Sequence, residues 1–442
     1  MSTKMDFITE DTKKCLTKMS LPLIVAMFLN MAYNLVDSIW IGNLLGETAM
    51  AALTTSTPII LILTSIAMGA TNGISILLSQ AIGAKEHKKI ESLISTSFLV
   101  SVIFSLIITG TIELLLPSIL KILNTPAETY SMAYNYLSIY LLGYIAVYLY
   151  CYFTAVLRSF GNTIFQAIAM LVCTLLNAIL DPIFINMIGF KGAAIATLIS
   201  QSTCLIFMLI YLWQKKLFSF HLSLFDRKEI YPLIQKAVPS IVQQSIPAIS
   251  TSFLTAIVSG YGVTAIAAYG ITGKLETILF YPAMALNMVI TTIVGQCVGA
   301  KRYDRAKDYL KCAMLYGSGI LIVLSVLVVV FARQLSDVFI SSVGVGNIVA
   351  NYFLIVGIGY VLNTITNCFL GAINGLGKPS KSMLLMVFYY MIVRMPLAYI
   401  FSILGFGLEG IWVGVLISHI VASLAASVSA NKLLVCLENQ GA

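Results

Sequence analysis

Apolar residues run along this chain in long stretches parted by short polar segments. A helix that crosses a bilayer needs about 20 apolar residues. Stretches long enough predict twelve such helices, near 17–41, 50–82, 91–117, 128–156, 162–187, 191–214, 234–260, 265–298, 309–331, 346–371, 381–402 and 408–432. The alternating ten-residue segments of a membrane β-barrel are absent. The expected fold is an all-α membrane protein with twelve transmembrane helices. One stretch sits badly in it. In YNLVDSIWIG (33–42), Asp37 is the sole acid or base between Leu21 and Leu45. A carboxylate in hydrocarbon costs about 2.5–3.5 kcal/mol on insertion scales.

Composition agrees with the pattern. Of 442 residues 59% are hydrophobic and 10% charged, with mean hydropathy +0.95, where soluble domains carry roughly 25% charge. Charge adds an orientation. Of the 26 Lys and Arg, 21 fall on the side of the predicted membrane that holds both termini. Lys121, Lys191 and Arg333 fall opposite, and Lys274 and Arg394 fall within spans. The positive-inside bias places both termini in the cytoplasm, and the net charge of +8 needs no nucleic acid to explain it. No cleavable leader is expected, because MSTKMDFITEDTKKCLTK is polar and mixed in charge and the first apolar run is too long for a signal core. The eight cysteines form no CxxC pair. Most lie in predicted spans, as Cys151, Cys173 and Cys204 do, and neither disulfide, metal site nor cofactor is expected.

The chain also repeats itself. QAIGAKEHKKIESLISTS (80–97) recurs as QCVGAKRYDRAKDYLKCA (296–313), and TAMAAL (48–53) as TAIAAY (264–269). FGN (160–162) faces LGK (376–378), and IGF (188–190) faces LGF (404–406). All four pairs share a shift of 216. This predicts two pseudo-symmetric six-helix lobes, 1–214 and 234–442, joined by a cytoplasmic linker, 215–233. Six helices per lobe give a parallel repeat, the arrangement of a rocking, alternating-access transporter. A duplicated scaffold without transport is the plainer alternative. A single chain holding both lobes is expected to be a monomer.

Topology then sets the depth of the polar groups. Helix 1 runs outward and carries Asp37 in its outer half. Helix 5 brings Asp181 to a similar depth, with Asn177 one turn below on the same face. Thr197 enters the same level on helix 6. Asn30, Tyr33 and Asn34 precede Asp37 by seven, four and three residues, on roughly one face. Such a cluster can hold a proton shared between carboxylates, or a cation among oxygens. The repeat supplies a control: at the 216 shift Asp37, Asn177, Asp181 and Thr197 map to Phe253, Val393, Leu397 and Val413. The scaffold is duplicated and the polar cluster is not. Buried polar glue between helices is the alternative reading. Pro22, fifteen residues before Asp37, and Pro182, after Asp181, are candidate hinges.

These residues carry a resemblance. Asp37 with Pro22, Asn177-x-x-x-Asp181-Pro182, GAAIAT ending in Thr197, GQCVGAK after helix 8 and GLGKPSKS (375–382) resemble the multidrug and toxic compound extrusion (MATE) family across essentially the whole chain. The resemblance implies paired six-helix lobes that export amphipathic, often cationic compounds in exchange for H⁺ or Na⁺. It implies a cation site at Asp37, Asn177, Asp181 and Thr197, with Tyr33 beside it. Some relatives place coupling acids in helices 7 and 10, but here no acid lies between Val238 and Gly260 or between Gly346 and Gly371.

Other candidates stand further off. Glu276, in helix 8 near mid-membrane, is either a substrate counter-charge or an acid paired with Lys274 or Arg394. Tyr136, Tyr140, Tyr144, Tyr148 and Tyr152 recur every four residues along helix 4. The stripe suits an organic cation or plain helix packing, and only Tyr136 and Tyr140 are level with the carboxylates. Met170, eleven residues before Asp181 on helix 5, joins Asn30, Tyr33, Asn34, Tyr136, Tyr140 and Glu276 as a candidate for the lining of a substrate cavity. His87 and His221 fall in loops and His419 is alone in helix 12, so no nucleophile–base pair marks an enzyme. The expected function is secondary active multidrug export at the cell membrane. A flippase for lipids or lipid-linked sugars is the alternative; it would call for several Lys or Arg in the cleft to meet pyrophosphate, and only Lys274 and Arg394 fall within spans.

Overall fold

A computed structural model describes residues 5–123, 125–215 and 222–441. Residues 216–221 of the expected linker, His221 among them, lie outside the described residues. Among the described residues fourteen α-helices follow one another: α1 (Thr12–Gly83), α2 (His87–Ile122), α3 (Ala127–Ser159), α4 (Ile164–Ile188), α5 (Phe190–Lys215), α6 (Ile230–Ser259), α7 (Val263–Gly299), α8 (Tyr303–Val330), α9 (Ala332–Asp337), α10 (Val343–Val356), α11 (Gly359–Gly375), α12 (Pro379–Val387), α13 (Met395–Ile403) and α14 (Gly407–Gly441). No strand occurs among the described residues.

Twelve crossings come out of these helices by physical argument. At about 1.5 Å per residue α1 would be roughly 108 Å long, several times the ~30 Å hydrocarbon core. Gly46 breaks it, with φ 78° and ψ −162°, so it is two spans. Helices α10 and α11 are bent by 52° and together make one span. A seven-residue π segment, Phe388–Arg394, joins α12 to α13 in another.

The repeat is written in the backbone. Lys85 and Lys301, the non-glycine residues with positive φ among those described, sit at 59° and 57°. They are 216 positions apart, as are the positive-φ glycines Gly46 and Gly262, Gly161 and Gly377, and Gly189 and Gly405. The caps match too: Ala84 N–H donates to Gln80 O and Ala300 N–H to Gln296 O, both at 3.0 Å. Where these two helix ends cross, a Cβ on Gly83 would lie 2.0 Å from Gln296 O, and one on Gly299 would lie 2.0 Å from Gln80 O. Only glycine permits that approach.

Among the described residues two compact units form, one from 21–78 with 86–237, the other from 5–20 with 79–85 and 238–441. In the first, Tyr144 OH donates to Leu63 O at 2.9 Å, tying α3 to α1, and Tyr152 OH donates to Ile94 O at 2.8 Å, tying α3 to α2. In the second, the amino-terminal segment is held by Arg305. Its guanidinium donates to Phe7 O at 3.1 Å, to Thr12 Oγ1 at 3.0 Å and to Glu10 O. Phe7 is fully buried edge-on to Tyr309.

Candidate functional site

The first unit brings its polar residues together at one level. Asp37 lies nine residues before the break at Gly46, and Asp181 seven before the end of α4. Thr197 lies seven after the start of α5. Asp37 and Asp181 are therefore about 10–14 Å from the carboxyl ends of their helices, and Thr197 is about 10 Å from the amino end of α5. The α4–α5 turn closes tightly, since a Cβ on Gly192 would meet Phe184 O at 2.1 Å. Thr174 Oγ1 donates to Leu29 O at 3.2 Å, which fixes α4 against the first arm of α1.

Within this frame Asn177 and Asp181 are fully buried, and Asp37 and Thr197 are each 7% exposed. Asn177 Nδ2 donates to Asp181 Oδ1 at 2.9 Å. The Asp37 and Asp181 carboxyls are near enough to interact electrostatically. Tyr33 OH lies 3.3 Å from Ser200 Oγ, which donates to Thr197 O at 3.0 Å. Among the buried side-chain atoms with no hydrogen-bond partner in the described residues, four are oxygens of this one cluster: Asp37 Oδ1, Asn177 Oδ1, Asp181 Oδ2 and Thr197 Oγ1. Buried polar atoms are overwhelmingly satisfied in native structures. Here each of four neighbouring residues leaves one oxygen bare, and oxygen ligands are what a proton or a hard cation takes. No cluster of three His, Cys, Asp or Glu suited to a metal ion occurs among the described residues.

The remaining predicted positions divide. Tyr136 is buried and stacks on Phe190 at 4.9 Å. Tyr140 is buried as well. Tyr144, Tyr148 and Tyr152 pack between helices, Tyr148 edge-on to Phe104 at 5.9 Å. Met170 is buried and accepts from Tyr150 OH at its sulfur, 3.8 Å away. Asn30 and Asn34 are exposed and bonded to each other, Asn34 Nδ2 to Asn30 Oδ1 at 2.9 Å. Pro22 and Pro182 both lie inside continuous helix.

Glu276 stands in the second unit and pairs with neither Lys274 nor Arg394. It accepts from the phenols of Tyr352 and Tyr360, while the Lys274 ammonium lies 5.1 Å from the Phe339 ring centroid. Arg394 has partners of its own. It donates to Ser418 Oγ at 3.0 Å and Tyr389 OH at 2.6 Å, and covers the rings of Tyr389 and Tyr390 at 4.8 and 4.5 Å. The sequence reading named Glu276 and Arg394 but none of these partners, nor Ser200. Tyr352 and Tyr360 lie 76 and 84 residues from Glu276, and no short motif links them.

Twelve crossings in a parallel repeat, with a buried acid pair in one repeat, are the architecture of a multi-pass membrane transporter. The chain belongs to the MatE family, whose model matches it twice, over residues 22–183 and 239–400. Both matches fall on the expected halves. The probable multidrug resistance protein YpnP of Bacillus subtilis (strain 168) is 27% identical over 431 residues, 95% of each chain. A MATE transporter of Vibrio cholerae, VcmN, solved in a mutant form, is 25% identical with a TM-score of 0.91, covering 95% of this chain and 96% of that one. An outward-facing multidrug resistance MATE transporter superposes with a TM-score of 0.94 at 23% identity, over 99% of each chain.

Proposed function

We propose that this protein is a secondary active exporter of small amphipathic, often cationic organic compounds, driven by entry of H⁺ or Na⁺ through alternating access. The observation that carries this reading is the set of four bare buried oxygens on Asp37, Asn177, Asp181 and Thr197. Two neighbouring carboxylates repel unless a proton or cation lies between them. Loading the pair from outside neutralises it, which weakens its hold on a cationic substrate and favours release outward. Unloading to the cytoplasm restores the charge and the affinity. The names of the relatives above support an amphipathic drug-like cargo. The lysine and arginine asymmetry supports a cell-membrane protein with both termini in the cytoplasm.

In a drug-sensitised host, Asp37→Asn is expected to lower resistance to the level of the empty vector while the amount of protein in the membrane stays unchanged. Full resistance in that variant removes the coupling role from Asp37.

A further inference from the structure

We propose that Glu276 is a second proton-binding carboxylate, and that its protonation releases a clasp across the break between α10 and α11. The break itself is covalently simple: two helices of one span, Val343–Val356 and Gly359–Gly375, meet at 52°. Tyr352 lies one turn before it and Tyr360 just after. Both phenols donate to the same atom, Glu276 Oε1, and their oxygens are 3.2 Å apart. One carboxylate oxygen thus holds both arms of the bend.

The other oxygen is differently placed. Oε2 makes no hydrogen bond among the described residues, and Glu276 lines a cavity of about 270 Å³ whose walls also carry Gln243, Asn287 and Asn363. Gln243 is 5% exposed and its Oε1 has no partner among the described residues. A proton delivered by water in this cavity adds to Oε2 without disturbing the tyrosines. It does change what they hold. With the group ionised, both phenols make charge-assisted bonds. With the group protonated, Oε1 is a neutral carbonyl oxygen and each bond falls to about half its strength.

The charged and titratable neighbours leave Glu276 as the responsive group. On its own helix, Lys274 is exposed and lies over Phe339, and Tyr269 stacks on Trp412 at 5.6 Å. From the π segment, Arg394 is held by Ser418 and by Tyr389 and Tyr390. From α14, His419 packs on Tyr360 with ring centroids 5.7 Å apart. Arg394 Nη2 lies 3.1 Å from His419 Nε2 and can only donate. The imidazole proton therefore sits on Nδ1 and is given to Tyr389 OH at 2.7 Å. His419 is fixed as a neutral ring with both nitrogens engaged. The proposal stands apart from the export reading, because it concerns the second unit without substrate.

Trp412 is the natural reporter, 1% exposed and edge-on to Tyr352 at 4.8 Å. With Trp40→Phe and Trp213→Phe it becomes the sole tryptophan of the three in the chain. In the purified protein its emission is expected to shift in one step as the pH is lowered from about 9 to about 4. The step should vanish in Glu276→Gln and persist in His419→Asn and Asp37→Asn. A step that survives Glu276→Gln, or a parent with none, overturns the proposal. Tyr360→Phe keeps the acid and removes one arm, which guards against misfolding of the first variant. Its amides at 356–360, corrected for the intrinsic pH dependence of exchange, should exchange roughly tenfold faster at high pH than the parent's, the ratio one lost charge-assisted bond converts to. The parent's should reach that rate only at low pH. Equal protection in the parent at both pH values also overturns it.

Discussion

Replacing Gly299 by alanine puts a methyl group 2.0 Å from Gln80 O, 2.8 Å from Ala84 N and 2.9 Å from Gln80 C. All three are backbone atoms, so no side-chain rotation relieves the clash. Ordinary contact begins near 3.4 Å, and the two helix ends must therefore part by more than an ångström. Overpacking of this kind costs about 1–3 kcal/mol and sometimes more. For a unit of some 200 residues that corresponds to roughly 2–10 °C of melting temperature. Gly110→Ala is the control, because nothing lies within 4 Å of its Cβ, and alanine is there the better helix former by about 1 kcal/mol. Melting of detergent-solubilised protein, followed by loss of the monodisperse chromatographic peak, reads the difference. Gly83→Ala should behave as Gly299→Ala does, since the crossing is reciprocal. If Gly299→Ala melts with Gly110→Ala, the close crossing at the repeat junction is wrong.

Other expectations follow from single contacts. Tyr144→Phe removes the bond to Leu63 O and should lower stability by about 1 kcal/mol in the same melting assay, with substrate efflux unchanged, because Tyr144 joins α3 to α1 rather than facing the acid pair. Arg305→Ala frees the carbonyls of Phe7 and Glu10, and limited proteolysis should then cut within residues 5–11 much faster than in the parent. Cys436 is exposed whereas Cys15, Cys173, Cys204, Cys297 and Cys368 are buried. An impermeant maleimide should label Cys436 in inverted vesicles and not in intact cells, and labelling in intact cells would reverse the orientation.

What the sequence made legible was whatever is encoded locally or by strict register. Long apolar runs announce spans because hydrocarbon admits little else, and the 216-residue shift found in four short motifs is the shift that recurs in Lys85 and Lys301 and in three glycine pairs. Asp37 and Asp181 stood out because an acid in an apolar run is costly. Asn177 followed from its i−4 spacing, and the structure places these residues with Thr197 at one level. What could not be read depends on partners distant in sequence. Residues 343–375 read as an ordinary apolar run near 346–371, and nothing local announces a 52° bend or a carboxylate on another helix holding it. Tyr352 and Tyr360 are two of 22 tyrosines, distinguished only by where Glu276 sits. Asn30 and Asn34 show the reverse limit. Their spacing placed them on roughly one face with Asp37, but spacing does not say whether a neighbour covers that face, and both are exposed.

The central claim is that a cation taken up by the Asp37–Asp181 pair is exchanged for substrate. Reconstituted vesicles loaded with a fluorescent organic cation test it directly, with a pH gradient alone and a Na⁺ gradient alone imposed in turn. At least one gradient should drive dye against its own concentration gradient in the parent, and neither should do so in Asp37→Asn or Asp181→Asn. Uphill movement without any ion gradient, or undiminished in either variant, would contradict the account.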